Sequence, residues 1–362
     1  MQKHKLMIRT VVCVMLVAYA LLAFSSCAPA SSSASENRQE GQADKISIVC
    51  TIFPQYDWTR QIIGESNMDR FELTLLIDGR VDLHSYNPSV HDMATIRNSD
   101  VLIYVGGDSD GWLNNVLRDA NSDMVTINLL EILGDNVIRD EHDHDDDHDD
   151  HNDDDHDDQG DDHDDDDDHE DDDDHDDDHD HEEAYTDEHV WLSLRNARLI
   201  CDAIAAILSE IDPGNAQAYM DNLRDFDKKL SNLDAKYRAA ADASDVSTLV
   251  FAARFPFRYL LDDYNLHHYA AFRGCSAETE ASFVTIISLA DRLNQFDLGV
   301  VMVTECADQS IARTVIDSSA NKNQRILVLD SMQSVTSSDI ANGATYLSIM
   351  ESNLTVLKDA LS

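Results

Sequence analysis

Ten of the sixteen histidines in this 362-residue chain fall between Asp140 and Glu183, among 27 aspartates and four glutamates, with no lysine or arginine. They are His142, His144, His148, His151, His156, His163, His169, His175, His179 and His181. Imidazole nitrogen suits Zn²⁺, Cu²⁺ and Ni²⁺, and carboxylate oxygen suits harder cations, so a tract of this composition reads as a collector of divalent metal rather than a plain acidic spacer. It has almost no apolar side chain and repels itself, so it is expected to be a disordered loop without a core. The formal net charge is −46, of which the tract accounts for −31 and leaves −15 for the remainder. An acidic remainder argues against a nucleic-acid partner, which requires a basic face.

Outside the tract and His4, five histidines remain: His84, His91, His189, His267 and His268. His84 sits in Gly79-Arg80-Val81-Asp82-Leu83-His84-Ser85-Tyr86-Asn87-Pro88, just after an apolar run, and His189 sits in Glu188-His189-Val190-Trp191-Leu192. Both are loop positions at the carboxyl ends of elements, where open α/β sheets take their ligands. Cys50, Cys201, Cys275 and Cys306 show no C-x-x-C spacing, which excludes a zinc knuckle; Cys275 and Cys306, at the ends of predicted strands in one half of the chain, are candidates for a disulfide. There is no H-E-x-x-H and no other hydrolytic signature, which disfavours a metalloenzyme.

The elements that must position these groups alternate. Apolar runs predict strands at Ile46–Thr51, Phe71–Ile77, Val101–Val105 and Val125–Asn128, with helices at Pro54–Ile63, His91–Asn98 and Trp112–Asp119 between them. After the tract, apolar residues at helical spacing predict a long helix over Trp191–Ile211, broken by Asp212-Pro213-Gly214, and a second over Ala216–Ala240. Strands then return at Thr248–Ala252, Leu266–Ala271, Val300–Thr304 and Ile326–Leu329, and a terminal helix covers Thr345–Leu361. Continuous apolar strands between helices indicate parallel sheets, hence an α/β chain of two Rossmann-like lobes joined by a helical connection. The expected boundaries are residues 1–27 for a signal peptide, 28–44 for a flexible tether, 45–139 for the first lobe, 140–183 for the metal-collecting loop, 184–240 for the helical connection and 241–362 for the second lobe.

The first segment has Lys3, Lys5 and Arg9 before the apolar run Val11–Phe24, too short to span a bilayer comfortably, and ends in Ser25-Ser26-Cys27. It resembles a bacterial lipoprotein signal, which implies lipid on Cys27 and an extracytoplasmic, membrane-anchored protein. The His84 and His189 segments resemble those of the metal-binding receptors of bacterial ABC importers, the zinc and manganese solute-binding proteins of the cluster A-I type. Gly274-Cys275-Ser276-Ala277-Glu278-Thr279-Glu280-Ala281-Ser282, Val328-Leu329-Asp330-Ser331 and Thr345-Tyr346-Leu347-Ser348-Ile349-Met350 resemble that family's later motifs, in order. The resemblance covers about Ile46 to Leu361 and implies two lobes joined by a long helix, with one metal in the interlobe cleft. It makes His84 the first-lobe ligand, His189 the second, and Asp330 a second-lobe carboxylate ligand. Where the family places a His or Glu after the first strand of the second lobe, Arg254 stands here; a guanidinium has no lone pair to give. Glu278, Glu280, Glu305, His267, Cys275 and Cys306 are the candidates to replace it. The expected cargo is Zn²⁺, with Mn²⁺ the alternative, and the expected partners are a permease and its ATPase. A metal-buffering or adhesion lipoprotein without a permease is the rival reading. A monomer with no catalytic activity is expected.

Overall fold

Short runs rich in Ile, Val and Leu form the strands because such side chains pack well on both faces of a buried pleated surface. In a computed structural model, which describes residues 45–79, 81, 83–139, 186–272 and 281–362, strands β1 (Ile46–Cys50), β2 (Phe71–Leu75), β3 (Val101–Tyr104) and β4 (Val125–Asn128) form a parallel sheet in the order β2-β1-β3-β4. Strands β5 (Thr248–Phe251), β6 (His267–Ala270), β7 (Val300–Thr304) and β8 (Arg325–Leu329) repeat the pattern as β6-β5-β7-β8. The pairing is parallel throughout, with Ile48 opposite Val101 in the first sheet and Val300 opposite Arg325 in the second. All four residues of β5 are buried, as a strand covered on both faces requires.

Helices α1 (Phe53–Ile63), α2 (Val90–Arg97), α3 (Leu113–Arg118) and α4 (Leu129–Leu133) accompany the first sheet. Between the sheets come α5 (Leu194–Ile211) and α6 (Ala216–Asp242), and with the second sheet α7 (Arg258–Asp262), α8 (Phe283–Gln295), α9 (Ser310–Ser318), α10 (Ser337–Ala341) and α11 (Tyr346–Ala360). Polar side chains start several of them. Ser89, Ser193, Ser282 and Thr345 each accept an amide N–H of the first turn of α2, α5, α8 and α11. The sequence places the first long helix from Trp191; its regular part starts at Leu194, because Ser193 is the cap and Val190–Leu192 is a separate 3₁₀ turn. Helices α4 and α10, five residues each, were not read from the sequence, whereas the equally short α7 was, as Phe257–Asp263 between two predicted strands.

The lobes share one core. Leu194, Ala197, Ile200, Cys201, Ile204 and Leu208 of α5 pack in the same cluster as Ile48 and Trp58 of the first lobe and Phe251 and Tyr346 of the second. Helix α6, 27 residues and so about 40 Å long, runs along both lobes. Near its start Asn222 donates to the main-chain oxygen of Ile62 at 3.0 Å. Near its end Tyr237 donates to Met350 O at 2.6 Å, and Asp234 accepts from Tyr264 at 2.9 Å. The outer faces of the two sheets have their own smaller clusters, around Leu102 and Leu113 in one lobe and Val301 and Val315 in the other. Cys27, the ten tract histidines, Cys275, Glu278 and Glu280 lie outside the described residues.

Candidate metal centre

His84 is set by its neighbours. Leu83, 1% exposed, anchors a single 3₁₀ turn after β2, and the ring of His84 turns to the end of β3. There Gly106 and Gly107, with φ of 91° and 82°, make a turn that only glycine adopts without strain. Its product is two placed side chains. Asp110 accepts the Gly106 N–H at 2.9 Å, and the Ser109 hydroxyl meets His84 Nδ1 at 2.5 Å.

His189 is fully buried. Its Nδ1 lies 2.8 Å from Asp187 Oδ1, and the same oxygen accepts its own N–H at 2.9 Å. Asp187 is held in turn. The Tyr259 hydroxyl donates to its main-chain oxygen at 2.7 Å and accepts the Ile138 N–H at 2.9 Å. The Asp187 N–H donates to Ile138 O at 3.1 Å, and Arg139 and Thr186 form an antiparallel bridge. The two flanks of the acidic tract are therefore pinned together beside His189.

His84 and His189, 105 positions apart in sequence, meet with their Nε2 atoms 3.3 Å apart and ring centres 5.2 Å apart, the planes tilted by 50°. Two imidazoles bound at about 2.0–2.1 Å to one tetrahedral Zn²⁺ have nitrogens about 3.3 Å apart and ring centres about 5.2–5.3 Å apart. A straight N–H···N bond of the same length would set the centres about 5.7 Å apart. The pair thus has the spacing of two ligands aimed at one point. Both Nδ1 atoms are engaged from behind, and the two Nε2 atoms face each other.

Asp330 follows β8 at the carboxyl end of the second sheet. Its Oδ1 accepts the Met332 N–H at 2.7 Å, and Asn353 of α11 holds its backbone with two hydrogen bonds of 2.9 and 2.8 Å. The next residue, Ser331, accepts from Trp191 Nε1 at 2.9 Å, which ties the Asp330 loop to the His189 segment. Glu305, after β7, accepts from the N–H and hydroxyl of Ser331 at 2.9 and 2.8 Å. Burial, and then the charge of Glu305, push the Asp330 carboxyl up to about 6. Burial also pushes Asp110 up to about 6, with the Glu188 charge adding to it and the Gly106 N–H opposing it. Among the described residues no group of three or more His, Cys, Asp or Glu side chains is arranged to hold a metal. His267 opens β6 and is exposed, at the amino end of the sheet and away from the carboxyl-end loops. Arg254 stands half-buried just past β5, and His268 stacks on Phe255 with ring centres 3.9 Å apart. Cys306 is exposed, and its pairing with Cys275 lies outside the described residues. Asp187 and Ser109 were not singled out from the sequence. The available signal was the run Asp187-Glu188-His189, with two acids ahead of the histidine.

A family model described as zinc-uptake complex component A, periplasmic (ZnuA), matches residues 48–360. The chain is 27% identical over 323 residues to the zinc-binding lipoprotein AdcA of Streptococcus pneumoniae (strain ATCC BAA-255 / R6), which covers 88% of this chain and 56% of that protein. It therefore spans about half the length of the AdcA relatives it matches. It is 26% identical over 339 residues to the high-affinity zinc uptake system protein ZnuA of Bacillus subtilis (strain 168), covering 93% of this chain and 94% of that one. Among solved structures, the metal-dependent lipoprotein YcdH of Bacillus subtilis superposes with a TM-score of 0.66 at 22% identity, over 88% of this chain and 100% of that one. The Zn(II)-bound ZnuA-like domain of Streptococcus pneumoniae AdcA does so with 0.63 at 24%, over 88% and 99%. These two show likeness of fold, including the two-lobe α/β architecture expected from the sequence.

Proposed function

From the chain's membership of the zinc-uptake complex component A family, we propose that it is an extracytoplasmic receptor that captures Zn²⁺ and delivers it to an ABC permease driven by an ATPase. The observation that carries this reading is the His84–His189 pair, whose nitrogens are 3.3 Å apart with both rings backed at Nδ1. Imidazole favours Zn²⁺ over Mn²⁺, which prefers oxygen. The relatives AdcA and ZnuA are named for zinc, which supports the same cargo. Asp330 is the proposed carboxylate ligand, on a loop tied to the His189 segment through Trp191 and Ser331. Water or one of Glu278, Glu280 and Glu305 completes the coordination. Its role is capture and release, with no turnover. The tract between Asp140 and Glu183 gathers metal beside the site, and lipid on Cys27 holds the protein at the membrane.

The test is competition with a chelator of known zinc affinity. The tract-deleted protein is expected to hold one zinc tightly, and His84→Ala with His189→Ala to abolish that binding. One tight zinc retained by the double variant would sink the assignment.

A further inference from the structure

Glu188 is next to His189 in the chain, yet its side chain serves the other histidine. Its Oε1 accepts the Ser109 N–H at 3.0 Å, and its Oε2 lies 3.8 Å from His84 Nδ1. The residue is 3% exposed, and Oε2 has no hydrogen-bond partner among the described residues. A buried carboxylate oxygen left in this state is costly, and such groups are retained where a nearby charge requires them. Room has been made for it. A Cβ on Gly107 would come within 2.4 Å of Glu188 Oε1, so the bare glycine, at φ 82°, is what lets the carboxylate in.

We propose that Glu188 is a positioning residue for His84, acting with Ser109 to present its Nε2 to the metal. The proposal rests on the zinc-receptor reading above. For Nε2 to give its lone pair, the neutral ring must have its proton on Nδ1. The Ser109 hydroxyl oxygen receives that N–H, and the Glu188 charge behind it stabilises the positive character the ring gains when Nε2 binds a cation. Asp187 does the same for His189 by direct contact at 2.8 Å. Two consecutive acids thus stand behind two rings that come from distant parts of the chain. Because Glu188 reaches across to the β3 turn, it also couples the placement of one ligand to that of the other.

Glu188→Gln keeps the shape and the bond from Ser109 N–H but removes the charge. In the full chain, with chelator competition set so that only the tightest site fills, this variant is expected to bind zinc about 10–100-fold more weakly than wild type. Its apo melting temperature is expected not to fall. With Co²⁺ in place of zinc, the visible absorption of the bound ion is expected to change, a response that a purely structural role does not produce. Glu188→Asp, which restores the charge at shorter reach, is expected to recover part of the affinity. The decisive comparison is made on the weaker zinc binding that remains in the tract-deleted His84→Ala protein, read at higher free zinc, where Glu188→Gln is expected to cost nothing further. Wild-type affinity in Glu188→Gln, or an equal loss with and without His84, overturns the proposal. A wild-type protein with no tight one-to-one zinc site would instead overturn the receptor reading itself.

Discussion

The hydroxyl of Tyr346 donates to the main-chain oxygen of Trp191 at 2.8 Å, joining the terminal helix to the segment that carries His189. The same tyrosine packs edge-on against Trp58 of the first lobe at 5.1 Å between ring centres, and its N–H donates to Asp57 at 2.9 Å. One fully buried residue thus touches both lobes and the ligand segment. Since the two facing imidazole nitrogens come from different parts of the chain, their 3.3 Å spacing depends on such ties holding the fold in one arrangement.

Tyr346→Phe keeps the ring contact and leaves Trp191 O buried without this donor. It is expected to lower stability by about 1–3 kcal/mol. Urea unfolding of the metal-free protein measures it, and an unchanged midpoint would show that the tie contributes nothing.

Removing a ligand and removing its support should differ in size. His189→Ala deletes a nitrogen donor and is expected to abolish tight zinc binding. Asp187→Asn leaves the ring in place but weakens its backing, and is expected to cost about 10–100-fold in affinity. Equal losses in a chelator competition would contradict the separation of ligand from support.

Asp212 caps the end of α5 in a clasp with Arg70, Nε to Oδ2 and a second nitrogen to Oδ1, both at 2.8 Å, and accepts from Tyr219 at 2.6 Å. The Arg70 bonds, then that of Tyr219, hold its carboxyl down at about 2, below the ordinary value of about 3.9. The folded state therefore favours the ionised form, so the clasp contributes fully above about pH 4 and is lost as pH falls toward 2. Asp212→Asn is expected to melt below wild type at neutral pH, with the difference narrowing below about pH 4 and vanishing only as pH falls through about 2. Melting curves across that range check the sign.

Deleting the acidic tract is expected to lower the number of zinc ions bound without weakening the tightest site. The expectation from its composition is that each weak site forms at the expense of chain entropy. Binding to the tract should weaken as pH falls through about 6.5, where free imidazole protonates. Isothermal titration of both forms decides; equal stoichiometry would reduce the tract to an acidic spacer.

Cys27→Ala is expected to move the protein from the detergent phase to the aqueous phase on phase partitioning. Persistent detergent partitioning would remove the lipid anchor from the proposal.

The sequence by itself determined the alternation of strands and helices, since apolar runs and helical spacing are local properties that need no knowledge of the rest of the chain. It also marked His84 and His189, because the segments around them resemble those of the metal-binding receptors. It did not show the five-residue helices α4 and α10, nor that Ser193 rather than Trp191 opens α5. Asp330 stood out beside the histidines, yet the fold ties it to Trp191 and Glu305 through Ser331 and leaves it outside any three-ligand group among the described residues. Only the tertiary structure decided which groups stand behind the rings. Ser109 and Glu188 are 79 positions apart, and His84 and His189 are 105 apart. Such meetings are set by how parallel strands are ordered in a sheet and how two sheets share a core. A side chain's partners across that core are therefore absent from its own stretch of sequence, as Glu188 shows by adjoining one histidine and serving the other.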